Sequence, residues 1–331
     1  MIAWYIEYEY WVAAVQLVLA MLGMGAGLQI ADFKKVAMQP KAATIGLLLQ
    51  LIVVPLIALG FVVLTNLPPG MVIGIAIVAS IPGGTVSNIF TFMARGNVPL
   101  SISITALTSV ACLVTTPMIL DFLISDYMTD SFVMPAKKVA VEIGLCLLLP
   151  LGLGMFFLKR LPNYAERFSN LCVKGSLVGI GVIVIGSLGA GRLNFANTSG
   201  DDIAVLCAFI LSLSLVGIWL IKGFGLANED NRAIEMEVVV RNINLGFLLK
   251  VSLFPAVAGE GNPVADMALF TILLYGAWQL AMGIFLIFWE LSLIAAVASM
   301  ILCGCKHFAL RFLCLQLTGG QHFLGHISCL R

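Results

Sequence analysis

Polar and charged side chains interrupt apolar sequence at two places in this chain. The two stretches read Ser-Ile-Pro-Gly-Gly-Thr-Val-Ser-Asn at 80–88 and Glu-Met-Glu-Val-Val-Val-Arg-Asn-Ile-Asn at 235–244. A charge at the centre of a bilayer costs about 2.5–3.5 kcal/mol on the insertion scale, so such residues usually face a cavity and have a function. The oxygens of hydroxyls, amides and carboxylates suit a hard cation. The chemistry indicated is cation binding, with Thr85, Ser87, Asn88 and Glu237 as the candidate donors.

The first stretch is expected to unwind in mid-membrane. Pro82 has no backbone N–H, and Gly83 and Gly84 weaken a helix. Unwound backbone at that depth is tolerated where it lines a cavity or is buried in protein, and its carbonyls can then hold a cation. The alternative is an ordinary kink packed against neighbouring helices, which is common in membrane proteins.

In the second stretch, Glu237 and Arg241 are four residues apart. This spacing places them on one helical face, with the acid first, which favours a self-neutralising ion pair. A second interpretation makes Glu237 a cation ligand, and the two are compatible. A further polar residue, Gln50, lies in another apolar run and is expected to face the interior of the protein.

The elements that must hold these residues are membrane helices. The chain has 331 residues, 61% hydrophobic and only 11% charged, and it carries no charge from residue 42 to residue 94. A helix needs roughly 20 apolar residues to cross a bilayer. The sequence predicts an all-α polytopic membrane protein of about nine transmembrane helices, at residues 11–31, 43–65, 70–92, 98–124, 138–158, 170–191, 202–221, 233–254 and 265–289. The net charge of +1, without a basic block, excludes nucleic acid as a partner.

The charges between these spans alternate. Every second junction is basic and together these junctions hold ten Lys and Arg, whereas the remaining loops hold three. The positive-inside rule therefore places the N-terminus outside. Ser87-Asn88-Ile89 resembles Arg241-Asn242-Ile243, and the two spans concerned run in opposite directions. Paired broken helices in opposed halves are typical of a secondary transporter with its site at the midplane.

We predict two parts, a single transmembrane bundle over residues 1–290 and a tail over 291–331. The tail holds all three His and four of the eight Cys. It is interpreted as a cytoplasmic or membrane-associated tail, with two alternatives: a zinc site, or sequence unrelated to the rest. The spans contain no His and no grouping for nucleophilic catalysis, so the chain is not expected to be an enzyme.

Residues 12–290 resemble the bile acid:sodium symporter family. The matching stretches are Leu-Gly-Met-Gly at 22–25, Pro-Gly-Gly-Thr-Val-Ser-Asn at 82–88, Arg-Gly-Asn at 95–97 and Leu-Ser-Ile-Ser-Ile-Thr at 100–105, with Glu237 and Asn242. The resemblance implies a panel domain and a core domain built from inverted repeats, with two broken helices that cross in the core. It also implies a first sodium site made of Ser87, Asn88, Ser101, Thr105 and Glu237.

A second sodium site is implied only in part. Gln50, Val238 and Val240, with Glu237, match the family pattern, but Arg241 replaces a family Gln and has no acceptor atom for sodium. One hypothesis places the guanidinium of Arg241 where the second cation would be, so that one sodium is used instead of two. Alternatively, Arg241 points into the cavity and pairs with an anionic substrate.

The predicted function is sodium-driven import of an organic anion by alternating access, in the plasma membrane or a bacterial inner membrane. The substrate, a bile acid, sterol conjugate or small carboxylate, is expected near Thr85, Asn88, Arg241 and Asn242. The expected partners are this anion, sodium and membrane lipid. Two alternatives are proton coupling through Glu237 and a non-transporting sensor or scaffold with the same fold. Substrate identity, sodium stoichiometry and oligomeric state stay open.

Overall fold

Helices form the whole architecture of the computed structural model, which describes residues 2–29, 31, 40–128, 133–192, 199–255 and 261–303. The α-helices are α1 (Ile2–Gly25), α2 (Pro40–Leu48), α3 (Val54–Leu64), α4 (Pro69–Ser80), α5 (Thr85–Met93), α6 (Val98–Ile124), α7 (Ala136–Ile143), α8 (Leu149–Arg160), α9 (Pro162–Gly189), α10 (Gly200–Lys222), α11 (Asn228–Val239), α12 (Ile243–Leu253) and α13 (Pro263–Cys303). Two π-helical segments join neighbouring helices, Leu49–Val53 between α2 and α3 and Gly144–Leu148 between α7 and α8.

Seven helical segments in the described part of the chain are long and apolar enough to cross a membrane, counting α2 with α3 and α7 with α8 as one segment each. The predicted third and eighth spans are instead broken, into α4 with α5 and α11 with α12. The all-α, multi-pass membrane architecture is therefore confirmed, as is the unwinding at Pro82 and Gly83. The number of nine spans, the inverted repeat, the panel and core domains, the division into residues 1–290 and 291–331 and the outside N-terminus stay predictions.

The helices pack in two groups. One group, named the panel group here, comprises α1, α7, α8 and α9, and in it α1 packs along α9 and α8. Small residues bring these helices together, since a Cβ on Gly25 would overlap the carbonyl of Leu151, and one on Gly154 would overlap the carbonyl of Leu22. The other, named the core group, comprises α2 to α6, α10 to α12 and α13 as far as Gly283. In it α11 packs against α5, α6 and α10, and α4 packs against α6, α12 and, through Gly70 and Gly74, against α13. The two groups meet chiefly where α1 contacts α12 and α7 contacts α6.

By compactness the chain divides into Met1–Gly283 and Ile284–Arg331. The first unit contains all the predicted site residues. In the second, the backbone stays helical to Cys303. The remaining Cys and His residues of the predicted tail, and with them the zinc alternative, lie outside the described residues. Within the described ranges, no group of three or more His, Cys, Asp or Glu could hold a metal ion.

Candidate functional site: two crossing helix breaks

The two broken spans cross at their breaks. Gly83 and Arg241 form an isolated antiparallel bridge, and the backbone N–H of Asn242 donates to the carbonyl of Pro82 over 2.8 Å. Helix ends leave backbone groups without intrahelical partners, and buried groups of this kind must find partners elsewhere. Each break supplies partners to the other, so the crossing holds two unwound segments inside the bundle.

The carboxylate of Glu237 is the centre of the site. It is fully buried in the last turn of α11 and accepts hydrogen bonds from four side chains on three other segments. Oε1 accepts from Ser87 at 2.5 Å, from Ser101 at 2.7 Å and from Thr105 at 2.8 Å. Oε2 accepts from Thr105 at 2.7 Å and from Gln50 at 3.2 Å. The structure thus brings the residues of the predicted first sodium site around one carboxylate.

Local helix geometry explains why these hydroxyls converge. Ser101 and Thr105 are four residues apart on α6, hence on the same face, and α6 is capped by Asn97, whose side chain accepts from the N–H of Leu100. The hydroxyl oxygen of Ser101 also lies 2.8 Å from Oδ1 of Asn88. Thr91, which was not predicted, donates to Ser101 at 3.1 Å and so extends the cluster along α5.

Position 83 requires glycine because the side chain of Glu237 lies directly against it. A Cβ at this position would overlap Oε2 of Glu237, whose side chain cannot move away while its hydrogen bonds hold it. The backbone N–H of Gly83 donates to Oε1 of Gln50 at 3.0 Å. The sequence pointed to Gly83 for helix breaking, and the structure adds a steric reason.

Gln50 connects the carboxylate to Arg241. Its amide nitrogen donates to Glu237, and its Oε1 accepts from Nη1 of Arg241 at 3.3 Å as well as from Gly83. Gln50 lies in the π-helical segment Leu49–Val53, a local winding that often marks functional sites. The side chain is 1% exposed, in agreement with the expectation that it faces the interior.

Arg241 does not share a helical face with Glu237, contrary to the expectation from their spacing. Helix α11 ends at Val239, so Arg241 lies in the break, and the two side chains form no ion pair within 4 Å. The guanidinium instead donates to the carbonyls of Val78 at 3.4 Å and Ala79 at 3.2 Å, at the C-terminal end of α4. This end of a helix carries partial negative charge, which suits a cation.

Two residues that sequence reasoning missed fix the break itself. Gln279 on α13 accepts from the N–H of Arg241 at 2.8 Å and donates to its carbonyl at 3.3 Å, and the hydroxyl of Tyr275 donates to the carbonyl of Val239 at 2.7 Å. The predicted ligands Val238 and Val240 are fully buried beside them. A Gln and a Tyr one turn apart in an apolar run are the only sequence signal for this support.

A cavity of about 300 Å³ lies between the panel and core groups, next to the crossing. Its polar lining residues are Thr85, Ser176, Arg241, Asn242, Asn244 and Gln279. The hydroxyl oxygen of Thr85 is buried and has no hydrogen-bond partner within the described structure. Of the predicted substrate residues, Thr85, Arg241 and Asn242 line this cavity, whereas Asn88 belongs to the cluster around Glu237.

A multi-pass helical bundle in which two broken helices cross beside an oxygen-lined pocket and a central cavity defines a secondary transporter fold. The model of the sodium bile acid symporter family matches residues 14–198. The chain belongs to this family of carriers, which confirms the resemblance and the prediction that it is not an enzyme.

Named relatives agree with this membership. The chain is 32% identical to a probable sodium/metabolite cotransporter of Arabidopsis thaliana, over 76% of its own length and 60% of the relative's. It is 28% identical to an uncharacterized sodium-dependent transporter of Bacillus subtilis, over 71% and 72%. It is 27% identical to a sodium-dependent organic anion transporter of Bos taurus, over 83% and 71%.

Proposed function

We propose that this protein couples the movement of one sodium ion to the uptake of a small organic anion. The observation that carries the proposal is the convergence of four oxygen-bearing side chains on the buried carboxylate of Glu237. Relatives named as sodium-dependent transporters support the coupling ion.

The donor set fits sodium. Ser87, Ser101 and Thr105 offer hydroxyl oxygens, Asn88 an amide oxygen and Glu237 a carboxylate, all hard oxygen ligands with one negative charge to neutralise a monovalent cation. Bound sodium would supply the positive charge that no side chain of the described residues provides within 4 Å of this buried carboxylate. The hydroxyls, which now donate to Glu237, would then turn their lone pairs to the ion.

Arg241 takes the place of a second sodium in this proposal. Its guanidinium is held by Oε1 of Gln50 and by two backbone carbonyls, which are acceptors of the kind that would ligate a cation. A permanently charged side chain cannot leave with the substrate, so it contributes charge to the site without adding to the transported ions. The proposal therefore sets the stoichiometry at one sodium per cycle.

The cavity supports a small anion as the substrate. Helices α5 and α12 begin at the crossing, where Thr85 and Asn242 line the cavity, and helix N-termini favour negative charge. The free hydroxyl of Thr85 offers a hydrogen bond to the bound anion. A volume of about 300 Å³ lies at the lower end of ligand cavities, which favours a small carboxylate over a sterol conjugate.

The proposal is tested with purified protein in detergent and in proteoliposomes. The melting temperature is compared in sodium chloride and choline chloride at equal ionic strength, for the parent and for Glu237→Gln. A ligand present at 100 times its dissociation constant stabilises the folded state by about 2.7 kcal/mol, a readily measured shift. Glu142→Gln is the matched control, because Glu142 is also a buried acid but contacts Tyr10 in the panel group.

We expect a sodium-specific rise in the parent and in Glu142→Gln, and none in Glu237→Gln. A gradient of sodium should then drive uptake of a small carboxylate into proteoliposomes. Uptake driven equally by a proton gradient without sodium would replace sodium coupling by proton coupling through Glu237. Sodium stabilisation without uptake of any anion would assign the protein a sensing role.

A further inference from the structure

An ion cluster with a buried centre joins the panel and core groups near one end of the cavity. It consists of Glu9, Arg192, Lys250 and Asp266. Nζ of Lys250 lies 3.0 Å from Oε1 of Glu9, and Nη1 of Arg192 lies 2.6 Å from Oε2 of Glu9. Nε of Arg192 lies 3.9 Å from Oδ1 of Asp266. Lys250 and Glu9 are only 1% and 2% exposed, so this contact is shielded from solvent.

The position of the ion cluster follows from the helices that carry it. Lys250 lies seven residues beyond the cavity residue Ile243 on α12, and Asp266 lies seven residues before the cavity residue Leu273 on α13. At 1.5 Å per residue, each separation is about 10 Å along the helix axis. The ion cluster therefore lies beyond the cavity at the end towards which α12 runs, which is the outer end in the predicted orientation.

The four charges are divided evenly between the two groups. Glu9 on α1 and Arg192, just after α9, belong to the panel group, whereas Lys250 and Asp266 belong to the core group. Asp266 belongs to the same cluster as Lys250, because Arg192 contacts both Asp266 and Glu9, and Glu9 contacts Lys250. If the groups separated at this end, Glu9 and Arg192 would stay together, and Lys250 could turn to Asp266.

Such an exchange avoids the main cost of opening a buried ion pair. Removing one partner leaves an uncompensated buried charge, which is strongly unfavourable. Here each group keeps one cation and one anion in either arrangement. We infer that the ion cluster is a gate with two stable arrangements, in which Lys250 contacts Glu9 when this end is closed and Asp266 when it is open. This inference rests on the proposed function, since a gate requires alternating access.

The gate predicts opposite effects for two neutralising substitutions. The nearly isosteric Glu9→Gln removes the partner of Lys250 in the closed arrangement and should favour opening. Lys250→Gln removes the contact of both arrangements and should change the balance less than either of the other variants. Asp266→Asn removes the partner of Lys250 in the open arrangement and should favour closure. In the closed arrangement it loses only the contact with Arg192, which is already long at 3.9 Å. A purely structural cluster would give no such opposition.

The test uses the full chain with its cysteines replaced and Ser176→Cys as the reporter, because Ser176 lines the cavity on α9. A membrane-impermeant thiol reagent is applied to intact cells and, separately, to inverted vesicles. From the side of the ion cluster, we expect labelling to rise about fivefold or more in Glu9→Gln and to fall in Asp266→Asn, with Lys250→Gln between the two. Glu142→Gln should match the parent.

The sodium-dependent melting shift is measured on every variant. The gate is overturned if the variants keep the sodium-dependent melting shift but their labelling is unchanged, or changes in the same direction in all of them. The proposed function stands in either case. A parent without any sodium-dependent shift or uptake overturns the proposed function instead. Local misfolding would move labelling in the same direction in Glu9→Gln and Asp266→Asn, so opposite changes in these two variants separate the gate from misfolding.

Discussion

Replacing Arg241 by glutamine removes the cation that the structure holds beside the carboxylate of Glu237. The guanidinium donates three hydrogen bonds, of 3.2, 3.3 and 3.4 Å, to Ala79, Gln50 and Val78. Bonds that involve a charged group contribute about 1.5–3 kcal/mol each, and these are long. Relief from burying the guanidinium offsets part of the loss. In the absence of sodium, we expect Arg241→Gln to be less stable by roughly 2–3 kcal/mol.

As the sodium concentration rises, the free energy of unfolding should increase more steeply in Arg241→Gln than in the parent. One site adds about 1.4 kcal/mol of unfolding free energy for each tenfold rise in sodium above its dissociation constant, and two sites add about 2.8 kcal/mol. The acceptors released by Arg241→Gln would form the second site. The slope of unfolding free energy against the logarithm of sodium concentration should therefore double, and the Hill coefficient of sodium in uptake should rise from about 1 towards 2.

The assay is chemical denaturation over a series of sodium concentrations, with choline holding the ionic strength constant. Arg241→Lys is the control, because it keeps the charge and should retain the slope of a single site. An Arg241→Gln variant with the parental slope and Hill coefficient would refute the idea that this side chain replaces an ion.

Three further substitutions test separate parts of the site and the fold. Gly83→Ala should weaken sodium binding at least tenfold in the melting-shift titration, because its Cβ would displace the carboxylate of Glu237; unchanged affinity would contradict the proposed ligand. Thr85→Val should leave the sodium-dependent shift intact and raise the KM for the anion about tenfold, the value of one hydrogen bond; an unchanged KM would remove Thr85 from the substrate site. Gly154→Val should lower stability by about 2 kcal/mol or more in denaturation, since it would push α8 away from the carbonyl of Leu22, and a neutral result would contradict the close packing of α1 and α8.

The sequence was most informative where polar residues stand in apolar surroundings. Pro82 and Gly83 predicted a break, and the oxygen-bearing residues of the two stretches predicted a cation site; their high cost in a membrane is a strong local signal. The sequence was least informative where the relative position of two side chains depends on the residue at which a helix ends. The spacing of Glu237 and Arg241 implies a shared face only if the helix continues, and it ends at Val239.

Contacts between segments that are distant in the sequence could not be predicted from it either. Glu9 and Lys250 are 241 residues apart, and each looked unremarkable in isolation, one near the start of a span and the other near the end. No periodicity relates them, because they meet only through the packing of α1 against α12. The supporting role of Gln279 likewise depends on where α13 passes the break.

The π-helical winding at Leu49–Val53 makes this span sensitive to its length. Such a segment corresponds to one residue inserted into an α-helix, and removing one residue would restore regular winding and rotate the following part of the helix by about 100° relative to the preceding part. Gln50 could then no longer face both Glu237 and Arg241 while α3 kept its packing. A relative that lacks one residue in this span therefore has a different side chain facing the carboxylate. That residue must be identified from the helical geometry of the span, and not from the position aligned with Gln50.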